Sequence, residues 1–211
     1  KLIWDVKSVI IRVLFKLSKP ELLVQSEWMK IIAQKSKIKV SNIKVFPIYK
    51  EFTSISKTRG NDWIYITSIQ TYKNVMNVIK AWNNSSESLT NNLYLTLNKD
   101  QLNIDITDCN NIIFLGNLSH SNLKEFILTN RPTFIQASEV ESFGLNIIES
   151  AMFKLPIVTL EKPYLKSTIE NYTSFNTWDE LTFLFDNKTK IKIPVTIVSN
   201  DANKLINYIL K

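Results

Sequence analysis

Five short apolar runs between positions 63 and 160 confine this chain to very few folds. They are 63–67 (WIYIT), 93–97 (LYLTL), 112–115 (IIFL), 133–136 (TFIQ) and 156–160 (PIVTL). Each has the length and continuous apolar character of a strand buried on both faces. Segments with helical apolar spacing follow three of them, at 72–82, 121–128 and 145–153, and Ser119 or Ser121 can cap the second. Strands alternating with helices predict an α/β fold: a Rossmann-like parallel sheet with helices on both faces. Ligands of such sheets bind beyond the carboxyl ends of the strands.

The flanks are less regular. Residues 2–17 (LIWDVKSVIIRVLFKL) predict an amphipathic helix that Pro20 terminates. A short strand at 21–25 follows, then Ser26 as the cap of a helix over 27–34, then a strand at 43–47. Residues 48–61 read as a loop or linker. Near the end, Thr177-Trp178-Asp179-Glu180 predicts a capping box that opens a helix to Phe185. Residues 190–198 (KIKIPVTIV) are strand-like despite Pro194, and 200–210 predict a terminal helix.

The segment 138–158, SEVESFGLNIIESAMFKLPIV, carries the chemistry. Glu141 and Glu149 stand with seven residues between them. Gly144, the only glycine of the segment, falls where loop becomes helix, so backbone there can approach a ligand closely. A helix N-terminus offers free N–H groups and the positive end of the helix dipole, which suit a phosphate. Carboxylates beside it suit sugar hydroxyls.

This segment resembles the signature of family 4 glycosyltransferases of the GT-B fold, roughly S-x-x-E-G/S-F-G-L-P-x-x-E-A-M-A-x-G-x-P-V. Ser138, Glu141, Phe143, Gly144, Leu145, Glu149 and Pro156 fall in register. The likeness extends over about 21–165, through ELLVQSEWMK (21–30), VFPI (45–48), WIYITSIQTYKN (63–74) and NNIIFLGNLSHSNLKEFI (110–127). It implies the C-terminal, donor-binding half of a GT-B enzyme. Residues 1–47 are then the end of an acceptor-binding domain and the crossover, 48–61 the linker, and 62–211 the nucleotide-sugar-binding domain with C-terminal helices. The rest of the acceptor-binding domain would precede Lys1, making the chain a piece of a longer protein.

By position, the resemblance assigns Lys73 to the donor diphosphate and Glu141 to the neighbourhood of the sugar ring and anomeric carbon, as the catalytic pair. Phe143, Gly144, Leu145 and Asn146 would present backbone amides, Glu149 would bind the ribose hydroxyls and Leu118 would line the base pocket. Ser68 stands in the donor site where the family carries arginine, since the family Gly-Arg is Thr67-Ser68 here. Lys154 replaces a family glycine and Asn146 a family proline. The implied reaction moves a hexose, with retention, from a UDP- or GDP-sugar to a glycan or lipid-linked acceptor in polysaccharide biosynthesis. It uses no metal and no other cofactor, at the cytoplasmic face of a membrane. The alternative is a non-catalytic nucleotide-sugar-binding or partner domain of the same fold, which the missing arginine supports.

Read without the family, each residue has a plainer role. Glu149 alone would be a solvated helix carboxylate and Lys73 a surface lysine at a helix start. Ser138 suits a hydroxyl bonding the loop backbone, and His120 a surface loop position.

Charge bounds the partners. The chain carries a net +7, but residues 1–50 hold eleven Lys or Arg and three acids, +8, which leaves −1 for the remainder. An anionic partner at that end is implied. The basic helix within 1–19 either packs against a preceding domain or lies on an anionic membrane surface. Nucleic acid is not expected, because aromatic and basic residues do not interleave there. Cys109 is the single cysteine and His120 the single histidine, so neither an internal disulfide nor a Cys/His metal cluster is expected. No G-x-G-x-x-G or Walker motif is present.

Overall fold

A computed structural model describes residue 14 and residues 16–36, 39–49, 59–102 and 111–210. Nearly all of the basic helix expected over 2–17, most of the 48–61 linker and Cys109 lie outside these residues. The chain divides into two compact units, Glu51–Ile197 and Lys1–Lys50 with Val198–Lys211.

The larger unit is built on a six-stranded sheet. Its strands are β3 (Trp63–Tyr65), β4 (Leu93–Leu95), β5 (Ile112–Phe114), β6 (Thr133–Gln136), β7 (Ile157–Leu160) and β9 (Thr173–Phe175). The order is β5-β4-β3-β6-β7-β9, and every pairing is parallel. Parallel neighbours need crossovers. Helix α2 (Val75–Asn83) lies between β3 and β4, α3 (His120–Asn130) between β5 and β6, and α4 (Leu145–Met152) between β6 and β7, while α5 (Trp178–Asp186) follows β9. This is the expected Rossmann-like α/β architecture.

Side-chain alternation decides which helix covers which face. Trp63, Tyr65, Leu93, Leu95, Ile135, Val158, Leu160 and Phe175 join the core formed with Val78, Ile79 and Trp82 of α2 and Leu181, Leu184 and Phe185 of α5. On the opposite face Tyr94 meets Phe126 of α3 edge-on, ring centroids 4.8 Å apart. Trp63, Trp82 and Phe185 form a buried triad of edge-to-face rings, with centroids 4.7–6.5 Å apart. The Trp63 indole N–H donates to Glu87 Oε1 at 3.2 Å, so this buried donor is not orphaned.

The expected caps form. Ser119 Oγ accepts from Asn122 N at 3.2 Å and Thr177 Oγ1 from Glu180 N at 3.2 Å, but the capping box expected at Thr177 is not closed, because Glu180 Oε2 accepts from Asn176 N at 2.7 Å instead. Three elements differ from the sequence reading. The helix expected from 72 begins at Val75, because Asn74 adopts the left-handed conformation (φ 55°) after a 3-10 turn, Thr71–Lys73. The 190–198 run pairs only through β10 (Val195–Thr196), antiparallel to β8 (Ile169–Glu170); Pro194 has no N–H to extend the ladder. Strand β9, with the short polar-rich sequence TSF, was not expected at all.

The smaller unit pairs β1 (Glu21–Val24) with β2 (Asn42–Val45) in parallel. The helix α1 (Glu27–Lys35) is capped by Ser26, whose hydroxyl accepts from Met29 N at 3.1 Å. The terminal helix α6 (Ala202–Ile209) belongs to this unit. Its Tyr208 ring lies 5.5 Å from Phe46 and beneath the Lys44 ammonium, and Asp201 N donates to Pro47 O at 2.7 Å. No described helix is long and apolar enough to cross a membrane.

Candidate active site

In this strand order the direction of winding reverses between β3 and β6. The connection after β3 runs outward to β4, and that after β6 runs the other way to β7. The loops leaving these two strands therefore diverge and open a crevice at the carboxyl edge, the usual ligand position of a doubly wound sheet. Lys73 lies on the first loop and Glu141 on the second.

The structure brings the two side chains together. Lys73 Nζ lies 2.5 Å from Glu141 Oε1, with the side chains 13% and 16% exposed. Both are thus largely withdrawn from water, where a charged pair is screened least. Asn74 knits the loops below them: its Nδ2 donates to Ala137 O at 2.9 Å and to Glu139 Oε1 at 3.0 Å. Glu139 N donates to Tyr72 O at 2.8 Å. The left-handed turn at Asn74 that displaces the helix start is therefore what aims its amide across the crevice. Glu139 also pairs with Lys162, which holds its carboxyl below the usual range.

Beneath the pair lies a buried polar layer. Tyr65 OH donates to the Lys73 carbonyl, and burial pushes the phenol up to about 12. Gln136 Nε2 donates to Glu141 Oε1 at 2.8 Å and to Ser138 Oγ at 3.1 Å. Tyr164 OH donates to Ser138 O at 2.8 Å, and burial raises its pKa as well. Ser138, fully buried, is thus a structural member of the layer.

The loop then enters α4. Gly144 is its N-cap at φ +71°, where a Cβ would be strained and would lie 2.8 Å from Ile147 Cδ1. Gly144 supplies no capping side chain, so the first-turn amides at Leu145 and Asn146 can meet an outside acceptor. Asn146 Nδ2 donates to Ile66 O at 3.1 Å and ties the helix start to the end of β3. Phe143 is buried and anchors the turn, while Leu145 is half exposed.

Glu149, on the same helix, faces a surface depression lined also by His120, Leu123, Lys124, Ile127 and Phe153. Burial raises its pKa from 4.5 to about 7. Between those values the folded chain holds a proton that the unfolded chain has released. Stability should therefore fall as pH rises from about 4.5 to about 7 and level off above it, by about 3 kcal/mol at most. Glu149→Gln should flatten that slope, as urea unfolding at pH 5 and pH 8 would show.

Among the described residues, no hydrogen bond or ion pair links Ser68, Leu118 or Glu149 to the pair, and neither Lys73 nor Glu141 lines the Glu149 depression. Ser68 bonds locally to Gln70, and Thr67 is held by Thr96, whose Oγ1 accepts from Thr67 N at 2.9 Å. Leu118 is half buried on the loop between Gly116 and the Ser119 cap. Asn74 and Gln136 were missed as site residues. Among the described residues, no three of His, Cys, Asp and Glu converge as a metal cluster would require.

The family described as "Glycosyl transferases group 1" matches residues 50–188, well over half the chain. No curated protein matches it. Among solved structures, Anabaena Alr3699/HepE in complex with UDP and glucose aligns with a TM-score of 0.68 at 14% identity, covering 85% of this chain and 57% of that one. The pneumococcal O-GlcNAc transferase GtfA, in complex with UDP and GlcNAc, aligns at 0.60 with 19% identity, covering 80% and 37%. TarM aligns at 0.66 with 16% identity, covering 88% and 40%. The chain thus spans between about a third and three fifths of these relatives' lengths. With the family match falling across the sheet, the crevice and the Lys73–Glu141 pair, the chain belongs to the group 1 glycosyltransferases.

Proposed function

We propose that this chain is the donor-binding half of a family 4 hexosyltransferase. It takes a UDP- or GDP-hexose and passes the sugar, with retention, to a glycan or lipid-linked acceptor in polysaccharide biosynthesis. The observation that carries this reading is the Lys73–Glu141 pair beside the uncapped start of α4. Relatives of the same fold are in complex with UDP and a sugar, which supports a nucleotide-sugar here.

The roles follow from charge and position. The diphosphate would lie against the α4 amides of Leu145 and Asn146 and draw the Lys73 ammonium from Glu141. As the bond from the anomeric carbon to the leaving oxygen breaks, negative charge grows on the diphosphate. The lysine and the helix end stabilise it there, with no metal required by this scheme. Glu141, freed of the lysine, faces the sugar. Glu149 accepts from the ribose hydroxyls, with Leu118 toward the base and Phe143 and Gly144 shaping the turn. Residues 1–47 would belong to an acceptor-binding domain and its crossover, and 48–61 to the linker. The basic segment 1–19 would meet that domain or an anionic membrane at the cytoplasmic face.

A second reading has its own observation. Thr67 and Ser68 are held in a local turn and supply no cation where the family carries arginine. A non-catalytic nucleotide-sugar-binding partner domain would look the same. Release of nucleoside diphosphate from UDP-glucose, UDP-GlcNAc and GDP-mannose by the complete gene product decides between them. Turnover of one donor, lowered at least about a hundredfold by Glu141→Ala, is the result expected. Binding without turnover, unimproved by Ser68→Arg, would establish the partner domain instead.

A further inference from the structure

Gln136 ends strand β6 at 1% exposure, inside an otherwise apolar run. A buried amide is costly to desolvate, so its bonds define what it does there. Its Nε2 donates to Glu141 Oε1 at 2.8 Å and to Ser138 Oγ at 3.1 Å, while its Oε1 has no partner among the described residues. An amide placed to satisfy itself would use both ends; this one spends only its donor, and spends it on the Glu141 carboxylate.

The carboxylate is asymmetric in consequence. Oε1 accepts from both Lys73 Nζ and Gln136 Nε2, and Oε2 accepts from no described residue. The two donors differ in kind. Lys73 sits on a loop and carries the charge that a diphosphate would attract. Gln136 sits on a central strand of the sheet, locked between β3 and β7 by the pairing of β6.

We propose that Gln136 is the positioning residue of this site. When the diphosphate engages Lys73, Gln136 remains as the donor that holds Glu141 Oε1 and keeps Oε2 directed to the sugar. This rests on the donor-site reading above. Ser138, whose carbonyl accepts from Tyr164 OH while its hydroxyl accepts from Gln136 Nε2, fixes the amide itself. The consequence is a residue that never touches substrate yet acts on turnover rather than on donor binding, because a carboxylate loosened by even an ångström loses its alignment.

The test is a cycle in the complete gene product. Gln136→Met keeps length and shape but removes the donor, and Gln136→Leu serves as a second variant should the first fail to fold. The expected result is a fall in kcat of roughly tenfold or more, with the donor KM within about twofold, as loss of a hydrogen bond to a charged group implies. In a Glu141→Ala background the same substitution should change kcat no further. A kcat equal to that of the unsubstituted protein, or a loss of the same size in the Glu141→Ala background, overturns the inference and leaves the donor reading standing. Failure of the unsubstituted protein to bind any nucleoside diphosphate overturns the donor reading, and the positioning role with it.

Discussion

Lys73→Ala is expected to weaken nucleoside diphosphate binding at least tenfold and to lower turnover by about two to three orders of magnitude. The two losses differ because the lysine meets more negative charge as the leaving group departs than it does in the bound donor. The size of the effect follows from this site's composition. On the proposed reading Lys73 is the cation that meets the diphosphate, since Ser68 stands where the family carries arginine. Removing it also strips Glu141 Oε1 of one of its two donors. Lys73→Arg should restore part of the binding and less of the turnover, because a planar guanidinium does not reproduce a compact ammonium in a crevice built for one.

Trp63→Ala is expected to be the most damaging single substitution to the fold of the larger unit, costing about 3–5 kcal/mol. Trp63 is fully buried, stacks edge-on with Trp82 and Phe185, and starts the strand at which the sheet reverses. The cavity would open between α2 and α5 and would also leave Glu87 without the indole donor. Thermal unfolding should show a midpoint lower by about 10 °C or more. Leu89→Ala, at a 69%-exposed position, is the matched control and should move it little.

Much of this was legible in the sequence because burial on both faces writes itself as continuous apolar runs. β3, β4, β5, β6 and β7 could be placed that way, and the serine and threonine caps followed from local chemistry. The juxtaposition of Lys73 with Glu141 was not legible from spacing, since it depends on β3 and β6 being neighbours across 68 residues of chain. It was reached only through resemblance. Strand β9 escaped because Thr173, Ser174 and Phe175 owe their extended form to pairing with β7 rather than to their own preferences. Asn74 escaped because the apolar spacing runs straight through it, although asparagine before a helix start is a known left-handed residue. Gln136 did carry a signal: a polar side chain closing a buried strand at its carboxyl end, where ligands bind. Glu149 is partly buried rather than solvated on the helix surface, which no single sequence displays.

On the proposed reading, the crevice between β3 and β6 binds a nucleoside diphosphate. Calorimetric titration of the purified protein with UDP, GDP and ADP, alongside Lys73→Ala and Glu149→Ala, tests it most directly. Saturable binding of one of the three, weakened at least tenfold in each variant, is the expected result. Binding of the same strength in both variants would contradict it, and so would no binding of any of the three by the folded protein.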